Sequence, residues 1–227
     1  FQYNFTKFKS LSLSYNTSTN QPSMSQLQPV PDNSNSLNIK EGNPDLKQEF
    51  NHNIMGHLNF LSPYKNKNLF FFFNMQVTQN KIVNYDSVNL QTGIRRTKPV
   101  NEDGLYNLNS EISYSMPVRF LKGTVELSSN TGLFKTKQFI NKVGNDIRTL
   151  SLGPDLRLDM NPTEKLNIAV EAGFNYNKTK YSLQSALNTN YLSQEYSASI
   201  DWQMPKQFFF STDFTYTINS QRAAGFN

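Results

Sequence analysis

The chain has 227 residues and a formal net charge of +5, and it contains no cysteine. The lack of cysteine excludes a disulfide framework and a thiolate metal site. No stretch approaches the roughly 18 consecutive apolar residues of a transmembrane helix. Apolar residues make up 37% of the chain, yet it has 18 Phe and 11 Tyr. A chain that is poor in aliphatic residues and rich in aromatic and polar strand formers indicates an all-β protein.

In chain order, the sequence predicts about ten strands and almost no helix. In KLNIAVEAGFNYN, residues 165–177, apolar side chains take every second position, which is the pattern of a strand with one apolar and one wet face. The longer predicted strands, of roughly 12–14 residues, exceed the usual globular length of about 5–6. The predicted strands are residues 1–5, 10–18, 48–61, 68–79, 105–116, 122–135, 148–160, 165–178, 190–204 and 207–220.

The connections between these strands alternate between short and long. The short ones are residues 6–10, 62–68, 117–122, 161–165 and 205–207. The long ones are residues 20–47, 80–104, 136–146 and 179–189. Antiparallel transmembrane barrels sort their loops in this way, with short periplasmic turns and long external loops. We therefore expect an up-and-down transmembrane β-barrel wall, with its apolar face against lipid and aromatic residues such as Tyr176, Tyr191, Trp202, Phe208 and Tyr216 near the interfaces.

One long connection carries its own strand pattern. KIVNYDSV and TGIRRTKPV, within residues 80–104, are predicted to pair as a β-ribbon across residues 89–91. Because ligand choice in such proteins lies in exposed loops, Tyr85, Arg95 and Arg96 are our ligand-contact candidates. They combine one aromatic ring with two cations.

The polar sides of the predicted strands are rich in acids, while the short turns are rich in lysine. Arg157 is the only base that we assign to the polar side. Many carboxylates on one wall are costly without counter-charge, so we expect either a water-filled lumen or a basic element that plugs it. The lumen-facing acidic wall is predicted to comprise Glu111, Glu126, Asp155, Asp159, Glu171, Glu195, Asp201 and Asp213.

Catalytic and metal-binding patterns are not visible. His52 and His57 are an odd number of positions apart, so a strand places them on opposite faces and they do not form a metal pair. The sequence has no nucleophile–base set, no phosphate loop and no basic stripe along one strand. We therefore expect no enzyme activity, no cofactor, no metal and no nucleic-acid partner.

The segment NIKEGNPDLKQEF resembles the G-N-P-x-L-x-P-E segment that precedes a barrel strand in TonB-dependent outer-membrane receptors. The preceding PSMSQLQPVPDNSNSLNI is similar to the outer-membrane β-barrel family of Bacteroidota. Gln48 stands where the family usually has Pro. The matching positions are Gly42, Asn43, Pro44, Leu46 and Glu49.

This resemblance implies a barrel of about 22 strands around an N-terminal plug. It also implies uptake of large ligands with energy relayed by an inner-membrane complex, and it allows for a surface lipoprotein partner. Residues 1–227 would then be about ten strands of one barrel domain, a fragment without the plug and the terminal strands. Two alternatives stay open: a passive porin or structural outer-membrane barrel, and a secreted soluble β-sandwich or β-solenoid binding module. A plug encoded upstream would separate the first alternative from the receptor, and a need for detergent would exclude the second.

Overall fold

The computed structural model describes residues 1–141 and 143–220, which form a single 13-stranded sheet. Ten strands make a continuous ladder in the order β1-β2-β4-β5-β8-β9-β10-β11-β12-β13, and each pair in it is antiparallel. The strands are β1 (Gln2–Thr6), β2 (Lys9–Asn20), β3 (Asn38–Lys40), β4 (Glu49–Ser62), β5 (Lys67–Gln79), β6 (Lys81–Val88), β7 (Arg95–Glu102), β8 (Leu105–Val118), β9 (Gly123–Ile140), β10 (Val143–Thr163), β11 (Leu166–Tyr181), β12 (Thr189–Gln203) and β13 (Phe209–Asn219).

The ten ladder strands correspond to the ten predicted from the sequence. Strands that follow one another along the ladder are joined by hairpins or by loops that leave the ladder, so the antiparallel up-and-down order is confirmed. In the described part of the chain, β1 and β13 are the two edges and do not pair with each other. The sheet is therefore open, and the size of a closed barrel stays a prediction.

Short turns join the ladder strands at one end, which we call the turn end. Three of them contain a residue in the left-handed region: Asn66 (φ 48°), Lys122 (φ 48°) and Lys206 (φ 63°). Short 3-10 segments fill these turns at Pro63–Lys65, Arg119–Leu121 and Pro205–Gln207. The opposite end, the loop end, carries the long connections.

The long connection predicted at residues 136–146 is wrong. β9 runs on to Ile140 and β10 begins at Val143, and their pairing continues through Lys137–Asp146 and Gln138–Asn145. These upper strand segments carry polar residues on both faces. The alternation of apolar and polar residues that marks a strand with one apolar face is therefore lost there, although the backbone pairing continues. The connection between β11 and β12 is also shorter than predicted and contains a 3-10 turn at Ser185–Leu187.

Three strands lie off the ladder and extend the sheet at the loop end. β6 and β7 pair as the predicted antiparallel ribbon, from Lys81–Glu102 to Val88–Arg95. β6 also runs parallel to the upper end of β9, where Tyr85 is paired with Phe139. β3 adds to the far side of β7 in parallel. We call this ribbon, together with the β2–β4 connection that contains β3 and the short helix α1 (Met24–Leu27), the cap.

The ladder has two chemically different faces, because cross-strand partners share a face. On β11, Ile168, Val170 and Phe174 point to one side, which we call the apolar face. Asn167 and Glu171 point to the other, the polar face. Tyr191 pairs with Asn177 and therefore lies on the polar face, so its predicted place among apolar interfacial aromatics is wrong.

The described residues have almost no hydrophobic core. Leu105 and Ala169 are the only buried hydrophobic residues there, at 7% and 9% exposure. Side chains of the apolar face remain open, with Leu127 at 49% and Leu156 at 45%. A soluble sandwich covers such a face with a second sheet, and no second layer is present in this part of the chain. None of the described helices has the length and apolar character needed to cross a membrane.

Candidate functional site: the acidic face and the cap

All eight acids that we predicted as one wall lie on the polar face. The register links them directly in the centre of the sheet, where Arg157 pairs with Glu126 on β9 and with Glu171 on β11. One row further, Asp155 pairs with Gly173, which in turn pairs with Glu195. The other four acids lie on the same face because each has a cross-strand partner there. These pairs are Glu111 with Asn130, Asp159 with Ala169, Asp201 with Asn167, and Asp213 with Ser199. The predicted common side is observed, whereas its orientation towards a lumen stays a prediction.

Arg157 neutralises only part of this wall. Its Nε lies 2.9 Å from Asp159 Oδ2, and its Nη1 lies 3.3 Å from Glu171 Oε2. Within residues 1–141 and 143–220 the other six carboxylates make no salt bridge. The polar face therefore presents excess negative charge to whatever lies against it, and low-dielectric surroundings would strengthen that field.

A shallow groove of ≈ 340 Å³ lies at the centre of the acidic face. Its wall includes the carboxylates of Asp155, Glu171 and Glu195, and Gly153 and Gly173 also line it. A Cβ atom at Gly173 would lie 3.1 Å from Asp155 Oδ2, so the missing side chain leaves room for that carboxylate. The groove has the size and charge to receive a basic side chain.

Glu49, from the predicted loop motif, is a structural anchor for the cap. It begins β4 and is 4% exposed. Its carboxylate accepts hydrogen bonds from the Ile82 backbone N–H at 2.9 Å and from Asn20 Nδ2 at 3.2 Å, and it pairs with Lys81 Nζ at 3.1 Å. One buried acid thus fastens the start of the ribbon to the top of the ladder.

The Gly-Asn-Pro part of the motif fastens the β2–β4 connection. A Cβ atom at Gly42 would lie 2.3 Å from the backbone oxygen of Gln28, so only glycine fits this close approach. Asn43 donates from Nδ2 to the Pro99 carbonyl on the ribbon at 3.0 Å, and its Oδ1 accepts from the Asp45 N–H at 3.2 Å. Pro44 and Leu46 lie in the turn that follows.

Asparagine side chains that the sequence analysis did not single out complete these attachments. Asn101 on the ribbon accepts from the Lys47 N–H at 2.8 Å and donates to the carbonyls of Lys47 and Asn80. At the connection between β11 and β12, the buried Asn145 side chain accepts a hydrogen bond from the Leu183 N–H at 3.0 Å. An amide both donates and accepts, so it can replace missing ladder partners in irregular backbone. The abundance of Asn in the long connections was the available signal.

The three ligand-contact candidates lie on the ribbon but do not form one group. Arg95 pairs with Asp86 Oδ2 at 2.6 Å, on one face of the ribbon. Tyr85 and Arg96 lie on the other face, where the Tyr85 ring is 6.1 Å from that of Phe139. Partial burial acts to raise the pKa of Asp86, but hydrogen bonds from Arg95 and Thr97 lower it overall. Arg95 is thus occupied by an internal partner, and its role as a ligand contact stays a prediction.

The cap leans towards the polar side of the ladder. Phe139 lies on the apolar face of β9, so the Tyr85 side of the ribbon continues that face, and the Asp86–Thr97 side continues the polar face. The β2–β4 connection packs against this second side and encloses a pocket of ≈ 360 Å³ with Asn84, Thr97 and Pro99. The β2–β4 connection therefore lies on the side of the ribbon that continues the polar face.

His52 and His57 lie on opposite faces, paired with Thr17 and Ser12 respectively. The described residues contain no group of three or more His, Cys, Asp or Glu side chains that is arranged to hold a metal ion.

Comparison with known proteins identifies the family. No curated protein matches the chain, and no solved structure matches it. Residues 1–151 match the family model described as "Outer membrane protein beta-barrel family", which covers more than half of the chain. The chain therefore belongs to the outer membrane protein β-barrel family, and its location is the bacterial outer membrane.

Proposed function

We propose that this chain is part of the barrel wall of a TonB-dependent receptor, with the apolar face against lipid and the polar face around a plug domain. In this arrangement a ligand enters from the loop end, and an inner-membrane complex supplies the energy that displaces the plug.

The observation that carries the proposal is the set of carboxylates without counter-charge on the polar face. Six of the eight acids make no salt bridge within the described residues, and the groove beside Asp155, Glu171 and Glu195 is open. A basic plug surface supplies the missing cations, and breaking those contacts costs energy, which suits an energised transporter. The cap at the loop end would restrict access to the polar face, as an energised transporter requires.

The matching property of the other face is its length. On β11 the apolar residues run from Leu166 to Tyr176, which is close to the roughly 9–11 residues that a tilted strand needs to cross the hydrocarbon core. An exposed apolar patch of this extent marks a surface that contacts a membrane or a partner protein. Because the protein is located in the outer membrane, lipid is the expected contact of this face.

Conductance of the full-length protein in planar bilayers tests the proposal. A plugged receptor should show little steady current, and removal of the plug should open a pore that prefers potassium to chloride. The triple variant Asp155→Asn, Glu171→Gln and Glu195→Gln should lose much of this preference. A steady open pore in the intact protein would favour the passive porin, and a plug-free pore that prefers chloride would contradict the acidic lumen.

A further inference from the structure

A row of basic side chains crosses the apolar face at the loop end. Lys135 on β9 pairs with Arg148 on β10, and Arg148 pairs with Lys180 on β11. Lys178 lies one row closer to the turn end, opposite Leu150. Because cross-strand partners share a face, all four side chains rise from the same side of the sheet as the leucines below them. We call these four residues the basic rim.

The basic rim is only partly neutralised by the chain itself. Asp146 Oδ2 lies 3.5 Å from Lys135 Nζ and 4.0 Å from Arg148 Nη2, so one carboxylate serves two cations. Lys178 and Lys180 make no salt bridge in the part of the chain that the structure describes. Like charges directly opposite one another destabilise a sheet. An external anion that lies between these cations would relieve their repulsion.

The position of the rim identifies the kind of anion. Leu150 and Leu152 on β10 and Tyr176 on β11 lie immediately below it on the same face. Adjacent strands are about 4.8 Å apart, so the three strands that carry the row span about 10 Å, which suits a head group with one or two phosphates. The long stems of lysine and arginine can lie along the apolar surface while their charges reach the head-group level.

We propose that the basic rim binds the phosphate groups of an anionic lipid in the leaflet at the loop end of the barrel. The inference rests on the proposed function, because it requires the apolar face to contact lipid. It adds a lipid-recognition site whose residues are outside both the acidic face and the cap.

Lipid titration of the purified full-length protein tests this. Native mass spectrometry counts the bound molecules of a lipid with a phosphorylated head group, with the dephosphorylated form of the same lipid and inorganic phosphate in parallel. The test variant carries Arg148→Gln, Lys178→Gln and Lys180→Gln. The control carries Lys9→Gln, Lys65→Gln and Lys67→Gln, which removes the same charge at the turn end.

The rim variant should bind the phosphorylated lipid more weakly, by about fivefold for each cation removed, whereas the control should match the wild type. Equal binding by both variants, or equal binding of the dephosphorylated lipid by the wild type, would overturn the proposal. So would displacement by inorganic phosphate at the same concentration as the lipid. If the rim variant does not assemble, the wild-type comparison of the two lipids decides. A wild-type protein that is absent from the membrane fraction would instead refute the barrel itself.

Discussion

The ladder and the cap are stabilised in opposite ways. Along the ladder, apolar side chains such as Val170 stay 38% exposed, and the fold is held by the regular backbone pairing of ten strands. At the loop end, by contrast, polar side chains are buried, with Glu49 and Asn145 each at 4% exposure. The stability of the ladder thus depends on whether each face contacts lipid or water, and the stability of the cap depends on individual hydrogen bonds. Changes that one region tolerates should damage the other.

A charge on the apolar face of the ladder should have the largest effect. Val170 lies midway along the apolar part of β11, so Val170→Arg should destabilise the assembled protein by about 2–4 kcal/mol if that face meets lipid. The measurement is the denaturant midpoint of the protein folded into lipid vesicles. Asn175→Arg adds the same side chain to the polar face of the same strand and should change the midpoint little. If Asn175→Arg instead destabilised the protein more than Val170→Arg, the polar face and not the apolar face would be the one that contacts lipid.

A methyl group in the cap should have the next largest effect. Gly42→Ala places a Cβ atom 2.3 Å from the backbone oxygen of Gln28, so the backbone must shift, and overpacking of this kind costs about 1–3 kcal/mol. Hydrogen exchange should speed up in the β2–β4 connection and the ribbon, while ladder amides keep their protection. Gly153→Ala is the control, because its Cβ would lie 3.3 Å from the side-chain oxygen of Asn175 and 3.8 Å from the nearest backbone oxygens, which is far looser than at Gly42. Equal effects would show that the cap is not a separate unit.

The same contrast explains what the sequence predicted well. In the ladder, strand alternation is read directly from the chain, so the ten strands, the ribbon and the common side of the eight acids were all predicted correctly. The failures lie at the loop end. Residues 136–146 were predicted as a loop because both faces of those strand segments are polar, and period-2 patterning then vanishes.

Contacts between distant loops were beyond reach for a different reason. Asn101 bonds to Lys47, 54 positions away, and nothing in either local sequence specifies the other. Arg95 and Arg96 are adjacent in sequence, so they were grouped, although a strand places them on opposite faces. The family motif did locate Gly42, Asn43 and Glu49, but it did not indicate that they attach the β2–β4 connection to the ribbon.

Removing one charge from the cap should have a smaller effect. Glu49→Gln keeps an acceptor oxygen but turns an amide N–H₂ towards the donors of Lys81, Ile82 or Asn20. The expected loss is about 1 kcal/mol, since Lys81 is partly exposed. Hydrogen exchange at the start of β6 reports this change. Glu41→Gln removes the same charge from a side chain that makes no hydrogen bond or salt bridge in the described residues, and should leave the ribbon unchanged.

The smallest expected effect is a pH dependence of the ribbon tip. Because the pKa of Asp86 is lowered in the folded ribbon, its bonds to Arg95 and Thr97 stabilise the ribbon above the ordinary aspartate pKa of about 3.9, and this stabilisation is lost as the pH falls through the lowered value. The chain has no cysteine, so a spin label on Gln91→Cys reports motion of the tip alone. Its mobility should rise only under strongly acidic conditions. With Asp86→Asn the label should be more mobile at neutral pH and show no acid step, and a step above about pH 5 in the parent would assign the transition to another group.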